Sequence, residues 1–385
     1  MGVRNQRIAM PVIVNPHPDL ELGAERRPLH YAEALPEAGI GPETGLVFFI
    51  HGFGASFDDA YTQKLLPFLA NTHDCVAVAV DYHDAHATNR IKMTPAPNFF
   101  EALKYRHGVS VNMPPEPFFE GALKKLFEIL ADSGIEMLHE DCFLLGGPEL
   151  YMNFGLLAAL DHLTVLHKVL ELYPINRRRL FVLGTSYGGY IALMMRKIAP
   201  NSFRLVIDNS GFSNVADASG VAYGVTLPLS RPKVAHRCVL AFSADPSSAR
   251  FMGAARQSIR DLAVAEHYGM SGGCVTYTYH SRTDKVASAA AKELVVAQAR
   301  QLGHHHDLRL IEAGDVDGRL FKDTDHGMSA SMRELFRLSH ERWRQSGGSD
   351  IEHTDFDLGT VNSLMCAELD YVFSFDRAGV RLCIC

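Results

Sequence analysis

Six short, predominantly apolar runs divide the chain, of which the first is continuous. They are Gly45–His51 (GLVFFIH), Cys75–Asp81 (CVAVAVD), Leu180–Leu183, Phe203–Asp208, Val275–His280 and Leu308–Ala313. Each is too short for a helix and ends at turn-forming or polar residues, which marks a strand buried on both faces. Stretches that read as helices lie between and after them, at 56–71, 150–173, 187–198, 287–302 and 327–344. The first opens on Ser56, Asp58 and Asp59, where acidic groups suit the helix dipole, and the second stops at Pro174. Strands alternating with helices predict an α/β protein with a mostly parallel central sheet and helices on both faces.

The alternation fails in two places. Residues 83–148 carry prolines at 95, 97, 114, 115 and 117, clustered aromatics and one amphipathic stretch near Phe118–Leu130. They read as an inserted helical cap. Beyond 345 the tail turns extended, with strands expected at Tyr371–Phe375 and Val380–Cys385. The predicted organisation is therefore a core of 1–82 and 149–345, a cap of 83–148 and a C-terminal extension of 346–385 packed on the core. Residues 7–35 read as short extended pieces, and 215–270 as ambiguous with helical pieces around 247–268.

Composition narrows the class only a little. The 385 residues are 47% hydrophobic and 21% charged, as in ordinary globular proteins. A net charge of −7 from 37 basic and 44 acidic residues gives no electrostatic case for nucleic acid or an anionic membrane surface. No apolar run approaches the roughly 20 residues needed to span a bilayer. The N-terminal stretch, broken by Pro11, does not read as a signal peptide. Seven cysteines without a C-x-x-C spacing fit a reducing cytoplasm better than a disulfide framework. Neither composition nor spacing calls for a cofactor.

In such sheets chemistry gathers at the carboxyl ends of the strands. The run at 180–183 leads into Gly184-Thr185-Ser186-Tyr187-Gly188, a G-x-S-x-G pattern between a buried strand and a helix. Glycines two residues either side let the backbone close around a serine aimed out of the sheet. The Tyr187 N–H points into the same space. The first core strand ends in His51-Gly52-Phe53-Gly54, a loop whose Phe53 N–H can serve an oxyanion; His51 is expected to orient the loop. The run at 275–280 leads to Asp284, either a helix cap or a group orienting a histidine. After the sixth strand comes His326, able to take a proton from Ser186. The order Ser186, Asp284, His326 suits this sheet. Asp208, Asp245 and Asp325 are rival acids. His83 and Gly54 are expected at the mouth of the site, binding substrate. His83 and His86 form an H-x-x-H too sparse for zinc, and His304–His306 are expected to be solvated; no metal is predicted.

The signatures HGFG, GTSYGG, SRTDKV and DHGM, spread over roughly 45–82 and 150–345, resemble the α/β-hydrolases. That resemblance implies a serine hydrolase with Ser186 as nucleophile, His326 as general base and acid, and Asp284 holding the imidazole. The segments DYHDAHATNR, MNFGLLAALD and GTSYGGYIALMMRKIAP also resemble an uncharacterised bacterial hydrolase-like family, some of whose members lie near flagellar glycosylation loci. The expected activity is carboxylic ester hydrolysis of a small-molecule or glycan acyl substrate. A peptidase, an acyltransferase or a non-catalytic scaffold are the alternatives. For the scaffold reading the C-terminal strands are the expected interface; the oligomeric state is left open, with a homodimer as one alternative.

Overall fold

The structure is a computed structural model that describes residues 12–53, 55–85, 93–95, 99–111, 120–135, 137–145, 151–217, 225–228, 235–239, 242, 246–248, 250–269 and 272–385. An eight-stranded sheet organises it. In chain order its strands are β1 (Val12–Val14), β2 (Leu29–Ala34), β3 (Gly45–Ile50), β4 (Cys75–Asp81), β7 (Leu180–Thr185), β8 (Leu205–Asn209), β11 (Val275–Ser281) and β12 (His305–Ile311). They lie side by side as β1-β2-β4-β3-β7-β8-β11-β12. β2 runs antiparallel to β1 and β4, and every later neighbour pair is parallel. A parallel sheet entered through antiparallel leading strands, with the β3/β4 order reversed, is the α/β-hydrolase fold.

Strand sequence explains the sheet's two faces, because side chains alternate across it. Leu46, Phe48 and Ile50 of β3 share one core with Val76, Val78 and Val80 of β4 and with α4 (Leu156–Leu172) and α5 (Tyr187–Ile198). Val47 and Phe49 face the other core with Ala77, Ala79, Phe181 and Leu183, under α1 (Ala60–His73) and α8 (Met332–Gln345). Asp59 caps α1 by accepting from the Thr62 N–H at 2.7 Å. The left-handed residue Asp74 ends that helix.

The insertion is not purely helical. It supplies α2 (Phe99–His107), α3 (Glu120–Asp132), β5 (Met93–Pro95) and β6 (Met137–Leu145). These strands join β9 (Val225–Pro228) and β10 (Ala235–Val239) in a second sheet ordered β5-β6-β10-β9. β6 has no local sequence signal of its pairing, because its partner β10 lies about a hundred residues further on. The C-terminal extension forms a third, antiparallel sheet from β13 (Val361–Cys366), β14 (Leu369–Asp376) and β15 (Gly379–Ile384). Its inward residues Leu364, Tyr371, Phe373 and Leu382 enter the core beside α4 and α5.

Two helix starts differ from the sequence expectation. α4 begins at Leu156, six residues late, because Asp84 takes the N–H groups of Asn153 and Gly155 and holds 153–155 out of the helix. α8 begins at Met332, capped by Ser331. His326–Ser329 form a separate 3-10 turn with Gly327 and Met328 at positive φ. Nor are the three consecutive histidines a solvated group: His304 and His306 are buried, and His305 and His306 belong to β12. Among the described residues no helix is long and apolar enough to cross a membrane.

Candidate active site

Ser186 sits between β7 and α5 with φ 53° and ψ −124°, a strained conformation for a residue with a side chain. The flanking glycines make it possible. A Cβ on Gly188 would lie 2.0 Å from the Ile50 carbonyl oxygen, and one on Gly184 2.2 Å from the Gly188 oxygen. Any side chain at either position would push β3, β7 and α5 apart.

The serine Oγ lies 2.7 Å from His326 Nε2. His326 Nδ1 lies 2.8 Å from Asp284 Oδ2. A carboxylate only accepts, so Nδ1 carries the proton and Nε2 presents its lone pair to the serine hydroxyl. Asp284 Oδ1 accepts from the N–H groups of Val286 (2.8 Å) and Ala287 (3.0 Å). Burial alone would raise this carboxyl, but the hydrogen bonds from His326, Ala287 and Val286 outweigh it and hold it below the usual carboxylate value. One oxygen of Asp284 thus faces His326 while the other closes a turn ahead of the next helix, Ala289–Gln301, whose N-cap is Ser288 and not Asp284.

The histidine turn is pinned from β8. Asn209 Nδ2 donates to the Gly327 carbonyl at 3.2 Å, and the Gly327 N–H donates to Ser210 Oγ at 3.2 Å. The Ser186 N–H donates to the Asn209 carbonyl at 2.7 Å. Phe212 lies stacked near the imidazole, with centroids 6.3 Å apart. Apart from the Phe212 ring, these contributions from the end of β8 and the residue after it have no sequence signal. They come from main-chain geometry and small polar side chains, which carry no motif.

The β3 loop closes the other side. Gly52 is so near the elbow that its Cβ would meet Ser186 Cβ at 3.0 Å. His51 is buried and stacked on Tyr82, whose hydroxyl donates to the His51 carbonyl at 2.8 Å. Burial lowers the His51 pKa, consistent with a neutral, loop-holding imidazole. The Phe53 and Tyr187 rings stack face to face, 4.2 Å apart and 11° from parallel. Tyr187 is the first residue of α5, so its N–H has no intrahelical acceptor.

His83 lies after β4, half-buried, with its N–H on Asp161 Oδ2 at 2.9 Å and its ring against Tyr151. Burial lowers its pKa. Neither that hydrogen bond nor that ring contact is to Ser186 or His326. Gly54 lies outside the described residues, as do His86 and Asp245. Asp208 does not meet His326; it accepts from Lys292 Nζ at 2.9 Å and from the Gly211 N–H. Among the described residues, no group of three or more His, Cys, Asp or Glu side chains is placed to hold a metal ion.

The sheet order and the strand-to-helix elbow define an α/β-hydrolase-fold protein, in which Ser186, His326 and Asp284 are hydrogen-bonded in series beyond the carboxyl ends of the strands. Within that class, the chain belongs to the family described as "Protein of unknown function (DUF2920)", whose profile matches residues 136–384. Among curated proteins, none matches this sequence. Similar solved structures include Est1E from Butyrivibrio proteoclasticus with ferulic acid bound, at 11% identity and TM-score 0.48, covering 84% of this chain and 96% of that one. The uncomplexed acylaminoacyl peptidase of Pyrococcus horikoshii is 14% identical at TM-score 0.49, over 91% of this chain and 44% of that one. A puromycin-hydrolyzing peptidase of Mycobacterium tuberculosis is 14% identical at TM-score 0.46, over 87% and 40%. The chain thus spans less than half the length of either peptidase. Likenesses this distant decide nothing about chemistry.

Proposed function

We propose that the protein is a serine hydrolase that cleaves carboxylic esters through an acyl-enzyme. What supports this reading is the continuous relay from Ser186 Oγ through His326 to Asp284, at 2.7 and 2.8 Å. Ser186 Oγ attacks the carbonyl carbon while His326 Nε2 takes its proton. Charge develops on the former carbonyl oxygen, where the N–H groups of Tyr187 and Phe53 are its donors. Each such donor is worth about 3 kcal/mol in well-studied cases. The imidazolium then returns its proton to the leaving oxygen, and the C–O bond breaks. Water, deprotonated by the same nitrogen, attacks the acyl-enzyme; the imidazolium protonates Ser186 Oγ as the acid departs. Asp284 stays ionised throughout and holds the ring.

Esters are favoured as substrates because an alkoxide needs less help to leave than an amine. The resemblance to a bacterial family near flagellar glycosylation loci points to an acyl group carried on a sugar. Reaction with a fluorophosphonate probe tests the core of the reading. Ser186 is expected to be labelled in the wild type and not in Ser186→Ala. A folded wild-type protein that is not labelled sinks the enzyme reading and leaves the scaffold. Hydrolysis of p-nitrophenyl acetate, peptide anilides and acyl transfer to added alcohols then separates an esterase from a peptidase or a transferase.

A further inference from the structure

Asp84 is fully buried just past the carboxyl end of β4, and the relay does not use it. Its Oδ1 accepts from the Asn153 N–H at 2.7 Å, and its Oδ2 accepts from the Gly155 N–H at 3.2 Å and from the Tyr187 hydroxyl. Among the described residues, the hydrogen bonds to this carboxylate come from these three donors, none of them a cation. The backbone of 153–155 leaves the helical path to provide two of them, with Phe154 and Gly155 at φ 55° and 96°. A buried carboxylate held at such conformational cost calls for an explanation beyond packing.

The explanation lies in what Tyr187 does next. Its ring is fixed at one end by Asp84 and lies flat on the Phe53 ring. Phe154, itself fully buried in the chain segment that Asp84 holds, contacts the Tyr187 ring at 5.5 Å between centroids. Tyr187 and Phe53 are the two residues whose main-chain N–H groups would face the oxyanion. One sits on the elbow and the other on the β3 loop, more than a hundred residues apart in sequence, and their stacked rings couple the two donors.

We infer that Asp84 is a positioning residue for the oxyanion hole, acting through the Tyr187 hydroxyl and the Tyr187–Phe53 stack to fix the separation of the two N–H donors. This rests on the serine-hydrolase reading and deepens it. The interaction matters when negative charge is present on the carbonyl oxygen, so its loss falls on kcat and spares KM.

The test uses full-length protein whose active sites are counted by fluorophosphonate titration. Tyr187→Phe keeps the ring and its stack but cuts the tether; Asp84→Ala removes it from the other side. Both are expected to lower kcat per titrated site about tenfold or more, short of the roughly 10²–10³ seen when a donor is deleted outright, with KM within about twofold. Affinity for a trifluoromethyl ketone, whose hemiketal mimics the tetrahedral state, is expected to fall by the same factor as kcat/KM. Asp84→Asn, which keeps an acceptor oxygen, is expected to recover part of the loss. Should Asp84→Ala not fold, Tyr187→Phe decides alone. If wild type is labelled and active while Tyr187→Phe keeps wild-type kcat and ketone affinity, the positioning role is wrong and the hydrolase reading stands. If wild type is not labelled, both fall together.

Discussion

Lys292 Nζ lies 2.9 Å from Asp208 Oδ2, and both side chains are wholly shut off from solvent. The carboxylate also accepts from Thr278 Oγ1 at 3.1 Å and from the Gly211 N–H at 2.9 Å, and the ammonium also donates to the Phe212 carbonyl at 3.1 Å. Asp208 is therefore committed to joining β8, β11 and α7 (Ala289–Gln301) behind the elbow, and is not available to His326. Removing one partner leaves a buried charge, so Lys292→Met is expected to cost about 3–5 kcal/mol in urea unfolding. Asp208→Asn, in the fraction that folds, is expected to keep kcat within a few-fold of wild type. A drop as large as that from Asp284 substitution would show that the acid had been misassigned.

The difference between these two aspartates marks where sequence stops being informative. Periodicity marks the core strands, and the candidates Ser186, Asp284 and His326 are read from the loops that follow three of them, Ser186 directly at its strand end and His326 only after a long connection. What was not legible depended on contacts between distant segments. Asp84 lies inside an H-x-x-H, a pattern that says nothing of the aspartate's own partners. Its partners at 153, 155 and 187 come together only once β4 and β7 flank β3. The second sheet pairs β6 with β10 across more than ninety residues, which no local pattern encodes. Likewise Arg260 and Glu21, buried with Tyr371 in one hydrogen-bonded cluster, tie together the N-terminal segment, α6 (Ala254–Arg260) and β14. Read singly, each would pass for a surface residue.

Steric room at the elbow gives a sharper prediction. Gly188→Ala places a methyl 2.0 Å from the Ile50 carbonyl oxygen and 2.7 Å from that of His51, both main-chain atoms that cannot swing aside. The strand end must move, and with it the loop carrying Phe53. The expected result is a loss of more than about 2 kcal/mol in stability, as for other overpacked sites, together with loss of fluorophosphonate labelling. A stable, labelled Gly188→Ala protein would contradict the close contact of β3 with α5.

Histidines buried without charge should make the protein acid-sensitive. His73 of α1 and His340 of α8 meet edge to face, with centroids 5.1 Å apart. Burial, followed by the charges of Arg179 and Arg337, pushes His73 down to about 4. Burial, then His73, Arg179 and Arg344, pushes His340 down to about 3. Both are neutral in the fold, whereas the unfolded chain binds their protons near pH 6.5. Between pH 6.5 and 4 the unfolded state holds more protons, so stability is full above that window and falls as pH drops through it. His162 and His267, also lowered by burial, add to the same slope. His340→Phe keeps the stack with Phe336 and removes one titrating group. Urea melts from pH 7 to 4 are expected to show a slope shallower by about one proton than wild type. An unchanged slope would mean that His340 is protonated in the fold.

The relay itself predicts how its acid should fail. Asp284→Asn can keep its carbonyl oxygen on the Val286 and Ala287 N–H groups, so the turn before α7 has no reason to unravel. The amide nitrogen then faces His326 Nδ1, where a carboxylate oxygen stood at 2.8 Å. An N–H donor there forces Nδ1 to accept, which moves the ring proton to Nε2 and turns it toward Ser186 Oγ. The imidazole can no longer receive the serine proton. A fall of about 10⁴ in kcat is the expected scale for a tautomer reversed in this way, with the melting temperature little changed. The loss should lessen at high pH, where hydroxide can take the serine proton without the imidazole. If activity instead falls only a few-fold and the pH profile keeps its shape, His326 is oriented by its turn, through Asn209 and Ser210, and the contact with Asp284 is incidental.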